Sequence, residues 1–155
     1  MTRLPSPRRG LRVGLAAISA ALGCGTPVDP DPVGDYTQWP VKLETYGRAP
    51  GHGDTYRIIY ANPTAAQTRP ASYAPGVVVV KEIRTNNGGV AGDLQYVALM
   101  RKLEFQSDPE QGDWLFTRSE TPGGDEIQQD FCWSRCHVAA PHFGVWLNYA
   151  AGTDR

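Results

Sequence analysis

The chain has 155 residues, of which 41% are hydrophobic and 20% charged, and a formal charge of −1, dimensions that suit one domain. Four of the fifteen basic residues precede Cys24 and none of the sixteen acidic ones does, so from Cys24 onward eleven cations face sixteen anions, a net −5. That balance, with no cationic block, excludes nucleic acid and an anionic membrane surface as partners, because both require clustered cations.

The first 23 residues read as an export signal. Arg3, Arg8, Arg9 and Arg12 form a basic start, and "VGLAAISAALG" (Val13 to Gly23) is an apolar run of eleven. Such a run suits the core of a signal peptide and is too short to cross a bilayer as a helix. It ends in "AALGC", which resembles a bacterial lipobox; Cys24 is then lipidated and becomes the new N-terminus. The alternative is an ordinary secretory signal with Cys24 as a nearby thiol. The expected location is the periplasm or the outer membrane of a Gram-negative bacterium, as a lipoprotein that touches the membrane only through its N-terminal lipid.

Residues 24–35, "CGTPVDPDPVGD", are rich in Pro, Gly and Asp without apolar period, and read as a tether ahead of a domain over 36–155. Within that domain "YRIIYA" (Tyr56 to Ala61) is a predicted strand, and "NPTAAQT" (Asn62 to Thr68) a short helix with Asn62 as N-cap and Pro63 in its first turn. "GVVVVKEIR" (Gly76 to Arg84) carries the strongest strand signal, and "TNNGGVAGD" (Thr85 to Asp93) reads as a loop. Leu94 to Lys102 and Trp114 to Ser119 are two more strands, with "TPGGDE" (Thr121 to Glu126) as punctuation. The segment Cys132 to His137 enters a short helix that Pro141 halts. The expected fold is mainly β (α+β): an antiparallel sheet with a few short helices, because the loops are too short for helical crossovers between parallel strands.

Two strands hold residues that stand out. Alternation places Lys81 on one face with Val77, Val79 and Ile83, three apolar β-branched residues. A lysine there either is buried with a shifted pKa and aimed at something specific, or snorkels from an edge strand to solvent. Met100 shares a face with Leu94, Tyr96 and Ala98, and fits core filler, pocket wall or an iron ligand. His52 and His142 are further candidates beside a metal, though a lone histidine is more often a loop or packing residue.

The segment "FCWSRCHVAA" (Phe131 to Ala140) places two cysteines ahead of a histidine, close to the haem c attachment signature C-x-x-C-H, with three spacer residues in place of two. Haem c needs two thiols for the porphyrin vinyl groups and an adjacent imidazole for the iron. On that chemistry Cys132 and Cys136 hold one covalent haem c and His137 is the proximal iron ligand. A Cys132–Cys136 disulfide and a zinc site are the competing readings; for zinc, no second ligand pair accompanies the first.

Taken in order, "YANP", "GVVVVKE", "GDLQYVAL", a Trp-Leu-Phe strand and a Cys-His motif near the C-terminus resemble the cytochrome P-460 family, over roughly Trp39 to Tyr149. The resemblance implies a β-rich, usually dimeric, periplasmic haem protein with a vacant distal iron site. It implies that Lys81 sits where the family's porphyrin-linked lysine sits, and that the activity is hydroxylamine oxidation, with an unidentified redox partner. The related β-type cytochromes c-prime bind nitric oxide or carbon monoxide instead, so the expected small partner is a nitrogen compound or a diatomic gas. The family's distal carboxylate falls at or next to Met100, which cannot take a proton, and Glu104 is the nearest carboxylate in sequence. A His137/Met100 electron carrier and a haem-free lipoprotein with a disulfide complete the alternatives.

Overall fold

A computed structural model describes residues 27–67 and 73–147. The export signal and Cys24 lie outside the described residues. Seven strands form one antiparallel sheet: β1 (Pro27–Val28), β2 (Val41–Ala49), β3 (Gly53–Ala61), β4 (Val78–Asn86), β5 (Ala91–Lys102), β6 (Trp114–Ser119) and β7 (Glu126–Gln128). Two short helices, α1 (Pro63–Gln67) and α2 (Phe131–Arg135), and 3₁₀ turns at Tyr36–Gln38, Pro109–Gln111 and His137–Ala139 complete the described elements. The mainly β, antiparallel expectation holds.

The strands lie in the order β1-β7-β6-β5-β4-β3-β2, so β2 to β7 form a meander and β1 pairs with the last strand. Short polar connections suffice for such a path. The segment Asn86 to Ala91, expected as part of a longer loop, is a tight turn at which β4 and β5 almost meet, and Asn86 pairs with Ala91. Both strands therefore run further than their apolar stretches. Asn62 caps α1 as its sequence indicates: its side-chain oxygen accepts from the Ala65 N–H at 3.1 Å.

Register sorts the side chains onto two faces. Val79 lies opposite both Ala61 and Met100, and Met100 opposite Phe116. These residues, with Val41, Ile59, Trp114 and Val145, form one apolar cluster, against which Cys132 and Trp133 of α2 pack. The opposite face carries Tyr60, Val80, Val97 and Leu99 under Tyr36. Here lie two ion pairs, each with one buried member, Glu82 and Arg101. Glu82 accepts from the Tyr36 hydroxyl and pairs with Arg84, while Glu126 receives two Arg101 hydrogen bonds, each 2.7 Å.

The tether reading of residues 24–35 is corrected from Pro27 on. β1 pairs with β7, Val33 packs on the second cluster, and the Asp31 carbonyl accepts from Arg101 at 3.4 Å. Arg101 is the reason a Pro-rich segment without apolar period still docks: its guanidinium needs acceptors beneath the chain, and a backbone carbonyl supplies one. Beside this segment lies a cavity of about 650 Å³ on the face away from Cys132 and Cys136.

Candidate haem-attachment site

The site is built from α2, the turn that follows it, and the middle of β4. In α2 the Cys136 N–H donates to the Cys132 carbonyl at 3.2 Å, closing one helical turn from one cysteine to the next. Residues four apart lie on the same helix face, so both thiols stand on one side. Both are free and half-buried. Burial raises the Cys132 thiol to about 11, with Cys136 adding to the shift and Lys81 opposing it. At Cys136 the backbone leaves the helix (φ −135°, ψ −54°), and this break turns His137 inward.

His137 is 8% exposed, with its ring 4.8 Å from that of Phe116. Its Nδ1 lies 2.6 Å from the Gly144 carbonyl. A carbonyl only accepts, so Nδ1 carries the proton. Burial lowers the imidazole to about 4, the Lys81 charge pushes the same way, and the Gly144 hydrogen bond opposes. The ring is therefore neutral at neutral pH and Nε2 keeps its lone pair, the state that ligates a metal.

Trp133, the first residue between the cysteines, is seated in a notch made by two glycines. A Cβ at Gly112 would come within 2.5 Å of its ring and one at Gly144 within 2.7 Å. Both glycines hold positive φ, +60° and +88°, which side-chain-bearing residues avoid. The notch fixes α2 against Trp114 and Phe116.

Lys81 lies between Ile59 and Ala98 in register, on the face that carries the Cys132 cluster. It is half-buried and not on an edge strand, so the snorkelling alternative has no support in the register. Burial lowers its amine to about 8, Arg57 adds to the shift, and the two thiols oppose it. Its Nζ is 3.3 Å from His52 Nε2, and His52 Nδ1 is 2.9 Å from the Tyr96 hydroxyl. Burial lowers His52 to about 3, followed by the charges of Lys81 and Arg57. A loop histidine with a 29-residue separation from Lys81 is thus brought to it by the β2–β3 turn. The adjoining Gly51 reaches the site as well, since a Cβ there would sit 3.7 Å from Cys136 Sγ.

Met100 lies two residues from the position paired with Lys81, which Ala98 holds, and belongs to the buried cluster with Val79 and Phe116. Glu104 is exposed beyond the end of β5, and His142 sits in the turn closed by Val145. Neither is hydrogen-bonded to Lys81 or His137. Sequence reading passed over Arg57 and Tyr96. Arg57 is 6% exposed and its Nη1 donates to the Gly47 carbonyl at 2.8 Å; Tyr96 lies under the Arg118 guanidinium, 4.2 Å from its ring centre. Arg57 is readable in hindsight, as an arginine in the midst of "YRIIYA".

A family model described as Cytochrome P460 matches residues 33–142, more than half of the chain, and the chain belongs to that family. No curated protein matches it. Membership makes the chain a c-type haem protein. The donor set fits that group: two free thiols on one helix face, and a neutral imidazole directly after the second thiol with its outer nitrogen fixed to a carbonyl. Among the described residues no three His, Cys, Asp or Glu side chains gather as a set for a bare metal ion.

Proposed function

We propose that this cytochrome P460 chain carries one covalent haem c on Cys132 and Cys136, with His137 as proximal ligand, and oxidises a small nitrogen compound of the hydroxylamine type. The bound haem would supply an iron at which such a compound binds and loses electrons. The chain's own residues do the rest. His137 offers Nε2 while Gly144 holds the ring by Nδ1. Phe116, Met100 and Val79 give the site a dry wall that excludes water and strengthens the electrostatics within. Lys81 is the porphyrin-directed lysine.

The observation that carries the reading is the placement of Lys81. An amine held on the same face as both thiols, with its pKa pushed down to about 8, has a neutral, nucleophilic fraction near neutral pH. A structural lysine would gain nothing from burial beside Arg57.

A second reading, reversible binding of nitric oxide or carbon monoxide, is favoured by Ala98 and Met100 on β5, since neither can accept a proton. One preparation separates the two. The protein is exported in a host competent in haem c maturation, and its intact mass and visible spectrum are taken. Steady-state oxidation of hydroxylamine with an artificial electron acceptor is then measured beside titration with carbon monoxide. Turnover supports the first reading; gas binding without turnover supports the second, and a chain without covalent haem refutes both.

A further inference from the structure

The hydrogen-bonded chain Lys81–His52–Tyr96 has no part in holding haem through the cysteines, and its geometry asks for an explanation. A lysine side chain has four rotatable bonds and loses up to about 2 kcal/mol of rotamer entropy on being fixed. Here it is fixed by a histidine from another part of the chain, and that histidine is itself fixed at its far nitrogen.

We propose that His52 is the positioning residue for Lys81, holding its amine in one orientation toward the porphyrin, and that Tyr96 in turn holds the His52 ring. The inference rests on Lys81 being porphyrin-directed, as proposed above. An ammonium only donates, so while Lys81 is protonated His52 Nε2 must accept, and its Nδ1–H donates to the Tyr96 hydroxyl. His52 stays neutral throughout, because burial and the nearby cations oppose its protonation. It therefore works by aim and does not take the proton itself. Arg57, also on this face, lowers the amine's proton affinity and enlarges the fraction that can attack carbon.

The bond in question forms between Nζ and a porphyrin carbon, replacing one N–H and one C–H. Two protons and two electrons leave, and a two-electron oxidant of the peroxide class accepts them and becomes two waters. The product is lighter by two hydrogens than the haem adduct held by thioethers alone.

The test compares wild type, His52→Ala, His52→Gln and Tyr96→Phe, each purified with haem from the same maturation-competent host. Haem per chain is read from absorbance, and the bridged fraction is read by digestion and mass spectrometry of the haem peptide that joins the Lys81 and Cys132–His137 segments. Wild type is expected to be bridged. In His52→Ala haem per chain stays the same while the rate of bridging under limiting peroxide falls roughly tenfold to a hundredfold, the scale of a lost orientation. Tyr96→Phe, which keeps His52, falls less; His52→Gln, which keeps an acceptor, recovers part of the rate. Equal bridging in His52→Ala and wild type overturns the proposal while leaving the porphyrin-directed lysine intact. An unbridged wild type that carries haem refutes the reading of Lys81 and the proposal with it. Should His52→Ala fail to fold, unchanged bridging in Tyr96→Phe overturns the chain.

Discussion

Gly144→Ala is the sharpest perturbation of the candidate attachment site, because one methyl group meets three features at once. The glycine holds φ +88°, a conformation that costs an L-residue about 1–2 kcal/mol. Its added Cβ would lie 2.7 Å from Trp133 Cζ3 and 2.9 Å from Trp114 Nε1. Trp114 cannot swing aside cheaply, being 1% exposed with its Nε1 donating to the Phe143 carbonyl at 3.1 Å, and Trp133 is lodged against Gly112. Overpacking of a filled core costs a further ~1–3 kcal/mol. The control is Gly123→Ala, at φ +70° with nothing within 4 Å of its Cβ, which carries the backbone strain alone. Urea unfolding followed by circular dichroism should therefore separate the variants by ~1–3 kcal/mol, or about 1 M in midpoint at an ordinary slope for a small protein. The Gly144 carbonyl also fixes His137, so haem per chain should drop in Gly144→Ala and not in Gly123→Ala. Coincident midpoints for the two variants would refute the notch.

Other consequences follow from buried charge. Glu126→Ala leaves the Arg101 charge without its carboxylate in a site where both side chains are about one-tenth exposed, a loss of ~3–5 kcal/mol; a change under ~1 kcal/mol in the free energy of unfolding would contradict the pairing. His52, whose folded pKa is depressed to about 3, stays neutral where the unfolded chain's histidine takes up a proton below about 6.5. Its contribution is thus intact above that pH and falls by about 2 kcal/mol between pH 7 and pH 5. Urea midpoints at the two pH values should converge in His52→Gln relative to wild type, and an equal acid sensitivity in both would count against burial of the neutral ring.

How much of this was legible in the sequence depends on the range over which each signal acts. The strand "GVVVVKEIR" and the Asn62 cap declare themselves locally, because β-branching and capping are properties of neighbours. Lys81 was visible as an anomaly of alternation, yet its partners were not, since His52 reaches it only after β2 and β3 fold into a hairpin. β2 itself escaped notice although Val41 and Leu43 alternate with Lys42 and Glu44; the alternation lasts only four residues before Thr45, Tyr46 and Gly47 interrupt it, too short a period to read as a strand. β1 and β7 are two and three residues long, below the length at which a period can be read, and they exist because Arg101 and Glu126 pair beneath them. Charges buried by tertiary pairing look the same in sequence as charges facing water.

The spacing between the cysteines follows the same logic. At about 100° per residue, a thiol three positions on lies about 60° to one side of the first, and a thiol four positions on about 40° to the other. Both spacings therefore keep the pair on one stripe of the helix, and the extra residue moves the second thiol across that stripe without turning it away. The hydrogen bond from Cys136 to Cys132 shows that the turn is α-helical across the spacer. Within the spacer the side chains divide: Trp133, one step past Cys132, enters the notch of Gly112 and Gly144, while Ser134 and Arg135 face solvent. The helix then ends at Cys136, so His137 is freed from the helical period that would carry it off the stripe, and it buries itself against Phe116. A fourth spacer residue would rotate the second thiol by another ~100° and detach it from the first, so three is the longest spacer that one helical turn accommodates.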